Sequence, residues 1–330
     1  MNDKIIILGS NSFSGAHFVD HCLSDGLEVL GISRSPEYHP VFLPYKRNPR
    51  LHSFSFRQID INNSSDAWEQ ILTEFEPDYV VNFAAQGMVS QSWDAPEDWF
   101  RTNCVAPLQI YTALRKLKRL KKFVQISTPE VYGNCEGKVK EHYCYQPSTP
   151  YAVSKAAADM NLMAFKNAYD FPVVFTRAAN VYGPGQQLYR IVPISILNIL
   201  TGKRLQLHGG GHSSRSFIHI SDVAAGTLQA ARLADPGKIF HFSTDRMITI
   251  RELVVLICAM LNVTFEDHVE DVGERLGKDA AYTLDSANAR QQLDWSDTVS
   301  LENGLAATIS WVKDNLDILS GMPRHYIHKR

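Results

Sequence analysis

The sequence predicts an α/β fold, in which a doubly wound parallel sheet is followed by a smaller C-terminal lobe. Apolar runs without polar alternation, typical of strands covered on both faces, are separated by stretches with helical periodicity. The predicted strands are residues 4–8, 28–32, 53–60, 79–84, 123–127 and 173–177, and the predicted helices are 14–24, 65–75, 96–117 and 151–169. Strand–helix–strand repetition with right-handed crossovers gives a parallel sheet covered by helices, as in Rossmann-type folds.

The pattern changes after about residue 178, where glycine and proline separate shorter predicted elements. We expect a return strand near residues 238–243 that joins the first sheet, and helices at 249–261 and 301–315. In the first half, the segment 34–50 contains four prolines. It is therefore predicted to be a surface excursion that is neither a regular helix nor a central strand.

The composition excludes several classes of protein. The 330 residues contain 33 Lys and Arg against 35 Asp and Glu, a formal net charge of −2, and 45% of them are hydrophobic. Dominant disorder is excluded, and a general nucleic-acid binder is disfavoured. Five scattered cysteines without a CxxC pair predict reduced thiols. No run of 18 apolar residues occurs, and four apolar residues near the N-terminus are too few for an export signal. We therefore expect a cytoplasmic protein without a membrane partner.

The first predicted strand ends in a glycine-containing loop that precedes a helix. Glycine lets the backbone approach a pyrophosphate, whose charge then lies at the helix N-terminus. The first and last glycines of the dinucleotide fingerprint are present, but Ser12 stands at the middle position, so an ordinary strand–turn–helix is the alternative. The candidate cofactor contacts in this loop are Gly9, Asn11, Ser12, Phe13 and Gly15.

Residues after the next strands complete the predicted dinucleotide site. An acidic residue commonly binds the ribose 2′-hydroxyl at the end of the second strand, but this sequence has Ser33 and Arg34 there. Arginine fits a 2′-phosphate better, so NADP is slightly favoured over NAD, with a solvated loop arginine as the alternative. Further candidate contacts are Asp60 and Ile61 near the adenine, and Ala84, Ala85 and Gln86 after the fourth strand.

Tyr151 and Lys155 are four residues apart and share one face of a predicted helix. A lysine ammonium near a tyrosine hydroxyl favours the phenolate, so Tyr151 is predicted to act as a base near neutral pH. Both residues are also candidate cofactor contacts. Thr128 and Glu130 follow the fifth strand, at the sheet edge where ligands bind in such folds. The Tyr/Lys spacing alone is common by chance, whereas its combination with the other strand ends is specific.

With these motifs, the sequence resembles the extended short-chain dehydrogenase/reductases over nearly its whole length, and within them the nucleotide-sugar 4,6-dehydratases. Residues 82–86, together with 89–97, resemble GDP-mannose 4,6-dehydratase, whereas residues 275–286 are more similar to dTDP-glucose 4,6-dehydratase. The resemblance implies bound NAD or NADP, a nucleotide-diphosphate sugar as substrate, and a homodimer. It also implies that residues 1–178 form the dinucleotide-binding domain with the catalytic residues, and that 179–330 mainly bind the nucleotide sugar.

The resemblance assigns a role to each catalytic candidate. Tyr151, aided by Lys155 and Thr128, removes the proton of the sugar 4-hydroxyl while the C4 hydride passes to the nicotinamide. Glu130 then removes the C5 proton, the C6 hydroxyl leaves as water, and the hydride returns to C6. The dTDP-glucose enzymes have an aspartate, which protonates the leaving hydroxyl, where this sequence has Pro129. Either Glu130 also supplies that proton, or the chain is a C4 dehydrogenase or epimerase that eliminates no water.

The resemblance also implies a set of substrate contacts, in which arginine forks suit diphosphate oxygens. For each arginine a structural salt bridge is the alternative, and for Asn180 a turn-capping role. The nucleotide base and the sugar remain open. The candidate substrate contacts are Ser90, Thr128, Glu130, Asn180, Arg190, Arg215 and Arg275.

Three other features favour plain structural interpretations. The basic run at residues 115–122 is interpreted as a solvated helix end instead of a nucleic-acid or membrane patch. His17 and His21 are four residues apart but have no evident third ligand, so no metal is predicted. Cys135 is interpreted as a buried or loop thiol instead of a catalytic acid. A regulator or binding module on the same fold would often lose the Tyr/Lys pair, and its presence argues against that class.

Overall fold

The computed structural model describes residues 3–63, 67–135, 137–273 and 283–329. Its largest sheet has seven strands in the order β11-β7-β5-β4-β1-β2-β3, and every neighbouring pair is parallel. The strands are β1 (Lys4–Leu8), β2 (Glu28–Ser33), β3 (Phe54–Gln58), β4 (Tyr79–Asn82), β5 (Lys122–Ile126), β7 (Val173–Ala178) and β11 (Ile239–Phe242). The predicted doubly wound parallel sheet is therefore confirmed, including a return strand from the second half of the chain.

Helices cover both faces of this sheet. They are α1 (Phe13–Ser24), α2 (Ala67–Phe75), α3 (Pro96–Phe100), α4 (Pro107–Leu114), α5 (Pro150–Tyr169) and α7 (Ile220–Leu233). Helices α1 and α7 contribute to one buried apolar cluster, and α2, α4 and α5 contribute to the cluster on the opposite face. Because both faces are buried, the inner strands carry continuous apolar runs such as Ile5–Leu8, which is fully buried.

The remaining elements form smaller sheets and a second apolar core. The strands are β6 (Lys138–Val139), β8 (Asn180–Tyr182), β9 (Leu205–His208), β10 (Ser214–His219), β12 (Met247–Thr249), β13 (Val269–Val272) and β14 (Thr283–Leu284). The helices are α6 (Ile191–Leu200), α8 (Ile250–Leu261), α9 (Phe265–His268), α10 (Ala287–Gln292), α11 (Leu301–Asp314) and α12 (Leu316–Ser320). The second core joins α6, α8, α11 and α12, so it is built mainly from the C-terminal half. No helix in the described ranges is long and apolar enough to span a bilayer.

Two predictions about local structure are wrong. The helix predicted over residues 96–117 is divided into α3 and α4 by a π-helical turn, Arg101–Val105. Pro107 follows this turn, and it lacks the N–H group needed to continue the helical hydrogen bonds. The segment 34–50 does contain only short 3₁₀ turns, but it is not a surface excursion throughout. Leu43 and Tyr45 are fully buried in the α1 side of the core, because their apolar surface covers that helix.

Candidate active site

The loop after β1 fits a dinucleotide phosphate group. Gly9 has a φ of +80°, and a Cβ placed on it would lie 2.6 Å from the backbone nitrogen of Ala84. A Cβ on Gly15 would lie 2.2 Å from the Gly9 carbonyl oxygen. Both positions therefore require glycine, and the close backbone approach leads directly into the N-terminus of α1, where anions are stabilised. Phe13, the first residue of α1, is buried in the core behind this loop.

Ser12 replaces the middle glycine of the fingerprint without projecting from the loop. It is the N-cap of α1: its Oγ accepts a hydrogen bond from the Gly15 amide at 3.0 Å and donates one to the Gly9 carbonyl at 2.7 Å. A Ser N-cap stabilises the first turn by satisfying an amide that lacks a helical partner. The Ser12 side chain therefore points into the loop and stabilises the loop conformation.

Ser33 and Asn11 also shape this loop with their side chains. The Ser33 hydroxyl accepts a hydrogen bond from the Asn11 amide at 3.0 Å, and the Asn11 side-chain amide donates to the Ser35 and Pro36 carbonyls, each at 2.9 Å. Arg34 is placed at the carboxyl end of β2 and donates to the Lys329 carbonyl at 3.1 Å. Of the residues predicted near the 2′-phosphate, Arg34 therefore contacts the end of the described chain, whereas Ser33 supports the loop.

The turn after β4 is held by a residue that sequence reasoning missed. Asn103 lies in the π-helical turn, and its side chain hydrogen-bonds both backbone groups of Gln86, at 2.8 and 3.1 Å. It also donates to the Ser154 hydroxyl at 2.9 Å, next to Lys155 in sequence. Asn103 thus connects the predicted cofactor turn to α5, which carries the predicted catalytic pair. Proline at position 107 was the local signal that the surrounding helix is irregular, and π turns frequently occur at functional sites.

Thr128 and Glu130 are positioned by a short 3₁₀ helix, Pro129–Tyr132. Thr128 is its N-cap, with its hydroxyl oxygen 3.3 Å from the Glu130 amide. Pro129 occupies the first helical position, where a missing N–H group has no cost and the fixed φ favours the turn. The residue that stands in place of a predicted acid is therefore a buried structural element of this turn.

Tyr151 lies in the first turn of α5, beside Thr128 and Glu130. Burial and the Glu130 carboxylate raise the pKa of Tyr151, while a hydrogen bond with the Thr128 hydroxyl and the nearby Arg190 oppose that rise. The predicted role of Lys155 in activating Tyr151 as a base stays a prediction. Burial is the main cause of the raised pKa of Tyr151, and the Lys155 ammonium donates a hydrogen bond to the Ile126 carbonyl at 2.6 Å. Burial lowers the pKa of Lys155 to about 8.

A buried ion pair lies behind Lys155. Asp159 and Arg177 are both fully buried, 2.9 Å apart, and the Asp159 carboxylate also accepts a hydrogen bond from Ser127 at 2.5 Å. The Arg177 guanidinium stacks over the Tyr132 ring, 4.6 Å from its centre. Asp159 is one helical turn after Lys155 and counteracts the lowering of its pKa. The pair therefore connects β5, β7 and α5 immediately below the reactive residues.

The predicted substrate contacts are distributed around this edge. Arg190 precedes α6, is exposed, and is near enough to lower the pKa of Tyr151. Asn180 is exposed in β8, and its side-chain amide donates to the Ser216 carbonyl on β10 at 3.2 Å. Arg215, in β10, donates to the Ser214 carbonyl at 2.8 Å. Ser90 lies in a 3₁₀ turn, Ser90–Ser92. Arg275 lies outside the described residues.

The predicted adenine contacts follow β3. The Asp60 carboxylate accepts a hydrogen bond from the Asn62 amide at 3.0 Å, which forms a local turn. Ile61 is buried, and its carbonyl accepts a hydrogen bond from the side chain of Gln109 on α4. Ala84 and Ala85 follow the carboxyl end of β4. The Asn82 side chain fixes their turn by accepting a hydrogen bond from the Ala84 amide at 3.1 Å. These strand ends all lie at one edge of the sheet.

The features interpreted as structural have structural partners. The basic run follows the end of α4, and three of its exposed side chains form ion pairs with acidic side chains. Lys122 is the exception: it is buried in β5 and donates to the Ala234 carbonyl. All five cysteines are free thiols, and burial raises the pKa of Cys135. Among the described residues, no three His, Cys, Asp or Glu side chains are grouped so that they could hold a metal ion. The pairs of the basic run are Lys116–Glu69, Arg119–Asp78, Lys121–Asp3 and Lys121–Asp78.

A parallel sheet with a glycine loop after β1, and a Tyr/Lys pair at the same edge, defines a dinucleotide-dependent enzyme. Residues 5–242 match the model of the NAD dependent epimerase/dehydratase family. The chain therefore belongs to this family, which confirms its resemblance to the extended short-chain dehydrogenase/reductases. The dTDP-glucose 4,6-dehydratase of Streptomyces antibioticus is 34% identical to it, over 94% of this chain and 93% of that relative.

Two solved structures illustrate how similar the whole fold is. The dTDP-glucose 4,6-dehydratase of Streptomyces venezuelae, with NAD bound, has a TM-score of 0.86 at 28% identity, and the match covers 96% of this chain and 98% of that chain. The UDP-glucose 4-epimerase of Thermotoga maritima also has a TM-score of 0.86, at 26% identity, and the match covers 95% of this chain and 99% of that chain. The family's dinucleotide cofactor is of the NAD(P) type.

Proposed function

We propose that the protein is a nucleotide-sugar 4,6-dehydratase that forms a 4-keto-6-deoxy sugar nucleotide. The observation that carries the proposal is the placement of Glu130 in the turn capped by Thr128, where its carboxylate is near enough to Tyr151 to raise the pKa of the tyrosine. A C4 oxidation needs only the tyrosine, its lysine and a hydroxyl group. A carboxylate beside them supplies the second base that an elimination across C5 and C6 requires. Relatives named dTDP-glucose 4,6-dehydratase support the same assignment.

The dinucleotide would be held by the Gly9–Gly15 loop and by the turns after β2, β3 and β4. When bound, it would accept the C4 hydride and return it to C6. We propose a slight preference for NADP, because Arg34, and no carboxylate, follows the carboxyl end of β2, where the ribose 2′-position would lie. Lys155 is buried at the same edge and would orient the cofactor's ribose as well as Tyr151.

In the first half of the reaction, the Tyr151 hydroxyl oxygen takes the proton of the sugar 4-hydroxyl as a C4 ketone forms. Its raised pKa must fall before this step, and Thr128 and Arg190 are the groups whose contacts already act in that direction. A Lys155 ammonium that turns from the Ile126 carbonyl toward Tyr151 would lower it further. The new ketone acidifies the C5 proton, which Glu130 removes.

Glu130 then supplies the proton that the leaving group needs. Pro129 has no ionisable group, so no acid precedes Glu130 in the turn. The carboxylic acid formed by taking the C5 proton can pass that proton to the C6 oxygen, which leaves as water. The proton balance closes within one side chain: Glu130 begins and ends the elimination as a carboxylate. Return of the hydride to C6 would also require one proton at C5. The proton that Tyr151 took from the 4-hydroxyl, returned directly or through solvent, balances this demand, so the net change is loss of one water and the 4-keto group remains.

A second candidate function is a C4 epimerase or dehydrogenase on a nucleotide sugar. Pro129 favours it, because chemistry confined to C4 needs no acid at that position. The structural similarity to the UDP-glucose 4-epimerase of Thermotoga maritima is as great as that to the dehydratase. In this case Glu130 would bind a sugar hydroxyl and would transfer no proton.

Mass spectrometry of a panel of GDP-, dTDP-, UDP- and CDP-sugars, incubated with the purified protein and each cofactor, distinguishes the two functions. We expect one panel member to lose one water. Loss of two hydrogens, or an altered sugar of unchanged mass, would instead identify C4 chemistry. Glu130→Gln is the matched variant: it should abolish water loss while C4 oxidation, read from cofactor absorbance, persists.

The domain and assembly assignments remain proposals. We propose that residues 1–178 bind the dinucleotide and carry catalysis, while 179–330 mainly bind the nucleotide sugar. We also propose a homodimer, because α5 exposes apolar side chains on its outer face. Val153 and Met160 lie seven residues apart on that face, and Met160 is 63% exposed. Val105, in the adjacent π-helical turn, is 59% exposed. Light scattering of the purified chain tests the assembly.

A further inference from the structure

The last described segment, residues 322–329, is an extended chain that lies outside every sheet; we call it the C-terminal tail. Its residues alternate in burial. Such a period of two means that one side of an extended segment faces the protein and the other faces solvent. The tail therefore lies along the molecular surface as an ordered element. The inward-facing residues are Met322, Arg324, Tyr326 and His328, and the outward-facing residues are Pro323, His325, Ile327 and Lys329.

One end of the tail is attached to the C-terminal half. The Arg324 guanidinium donates to the Asn198 side chain at 2.8 Å and to the Thr201 hydroxyl at 3.1 Å, at the C-terminal end of α6. The Tyr326 ring packs edge-on against Tyr189, with ring centres 5.7 Å apart. Tyr189 precedes Arg190, which is a predicted substrate contact.

The other end is attached to the dinucleotide half. His328 hydrogen-bonds the Asp98 carboxylate at 2.6 Å and stacks on Trp99, with ring centres 5.1 Å apart and planes inclined by 9°. The Lys329 carbonyl accepts hydrogen bonds from the Gln86 side chain at 2.6 Å and from Arg34 at 3.1 Å. Two predicted cofactor contacts on different strand ends are thus joined by one carbonyl of the tail.

The positions of those strand ends place the tail over the dinucleotide site. Arg34 follows β2 and Gln86 follows β4, and these strands flank β1 on its two sides. A carbonyl that bridges them therefore crosses the end of β1, where the Gly9–Gly15 loop begins. Between described residues, the hydrogen bonds that fasten Arg324, Tyr326, His328 and Lys329 to the rest of the protein go to side chains at the two rims and not to the amides of that loop.

We propose that the C-terminal tail is a strap that crosses the dinucleotide site and slows the release of bound cofactor. This inference rests on the cofactor site of the proposed function. A cofactor that receives and returns the hydride in each cycle has no need to leave, so a strap fastened to both halves does not obstruct turnover. Release requires that the contacts of His328 and Lys329 break first, because they close the route between β2 and β4.

The test compares cofactor release from three forms of the full protein. The first is the unaltered chain, the second lacks residues 326–330, and the third is Ile327→Ala, whose side chain is exposed and outward-facing. The protein is loaded with reduced dinucleotide, and stopped-flow fluorescence follows its displacement by excess oxidised dinucleotide. We expect the shortened chain to release the cofactor about tenfold faster, since the hydrogen bonds of Lys329 with Gln86 and Arg34 and the contacts of His328 with Asp98 and Trp99 are lost. Ile327→Ala should match the unaltered chain.

A full-length variant controls for the case in which the shortened chain misfolds. His328→Ala removes the Asp98 and Trp99 contacts and should speed release in the same direction, with an unchanged thermal unfolding midpoint of the cofactor-free protein. Equal release rates from all forms would overturn the strap. Tighter cofactor binding by the shortened chain would overturn it too, because the tail would then compete for the site. If the unaltered chain binds neither dinucleotide, the proposed function itself fails, whereas binding with equal release rates removes only the strap.

Discussion

The buried pair of Asp159 and Arg177 makes a sharp prediction about stability. Asp159→Asn leaves the fully buried Arg177 guanidinium without its counter-charge and weakens the hydrogen bond that Ser127 donates. Removing one partner of a buried pair typically lowers the free energy of unfolding by about 3–5 kcal/mol, because the remaining charge is desolvated and uncompensated. Three neighbouring elements, β5, β7 and α5, meet at this pair, so the loss should destabilise the sheet edge as a whole.

Urea denaturation followed by circular dichroism measures this effect. The matched control is Glu69→Gln, which breaks an exposed ion pair with Lys116 and should leave the midpoint unchanged. The double variant Asp159→Asn with Arg177→Met should be destabilised less than the sum of its single variants, since no unpaired charge remains. If Asp159→Asn unfolds at the same urea concentration as the unaltered protein, the assignment of a buried, charge-balancing role is refuted.

Three further predictions concern the site itself. Because Lys155 loses its proton as the pH rises through about 8, a reaction that needs its ammonium should slow above that pH. Lys155→Arg should remove this alkaline decline while lowering the rate, because arginine stays charged. Initial rates measured across a pH series test both expectations. Gly9→Ala should abolish dinucleotide binding in a titration calorimeter, whereas Gly273→Ala, with open space around it, should not; equal binding by both would contradict the close-approach argument. Arg34→Ala should weaken NADP binding about tenfold or more and NAD binding little, and an equal loss for both cofactors would show that Arg34 does not read the 2′-phosphate.

Elements with a strong local signal were predicted well from the sequence. β1 was placed at the correct residues, because its apolar run is bounded by Lys4 and by Gly9, which the loop requires. The division of the helix after residue 96 was not predicted, since its π turn is stabilised by the contacts of Asn103 with Gln86 and Ser154. Those partners are 17 and 51 residues away along the chain, beyond any periodicity.

The candidate site likewise has features that the sequence predicts and features that depend on contacts between distant residues. The Tyr151 and Lys155 pair was predictable because one helical turn fixes their spacing. The shift of the Tyr151 pKa could not be predicted from the sequence. It depends on burial and on Glu130, which follows a different strand. The C-terminal tail left no local signal at all. Its contacts with Gln86 and Arg34 join residues 243 and 295 positions apart, so only the folded chain reveals them.

Pro129 connects the local structure of this site with its chemistry. As the first residue of the 3₁₀ helix, it fixes the backbone that Thr128 caps, and that turn carries Glu130 toward Tyr151. An aspartate at this position would offer a proton but would give up the rigid start of the turn. The chain has the opposite combination: a well-defined position for one carboxylate and no second acid. An elimination at such a site must use the same glutamate as base and then as acid, and the fixed position of Glu130 relative to Tyr151 is what makes that double use geometrically consistent.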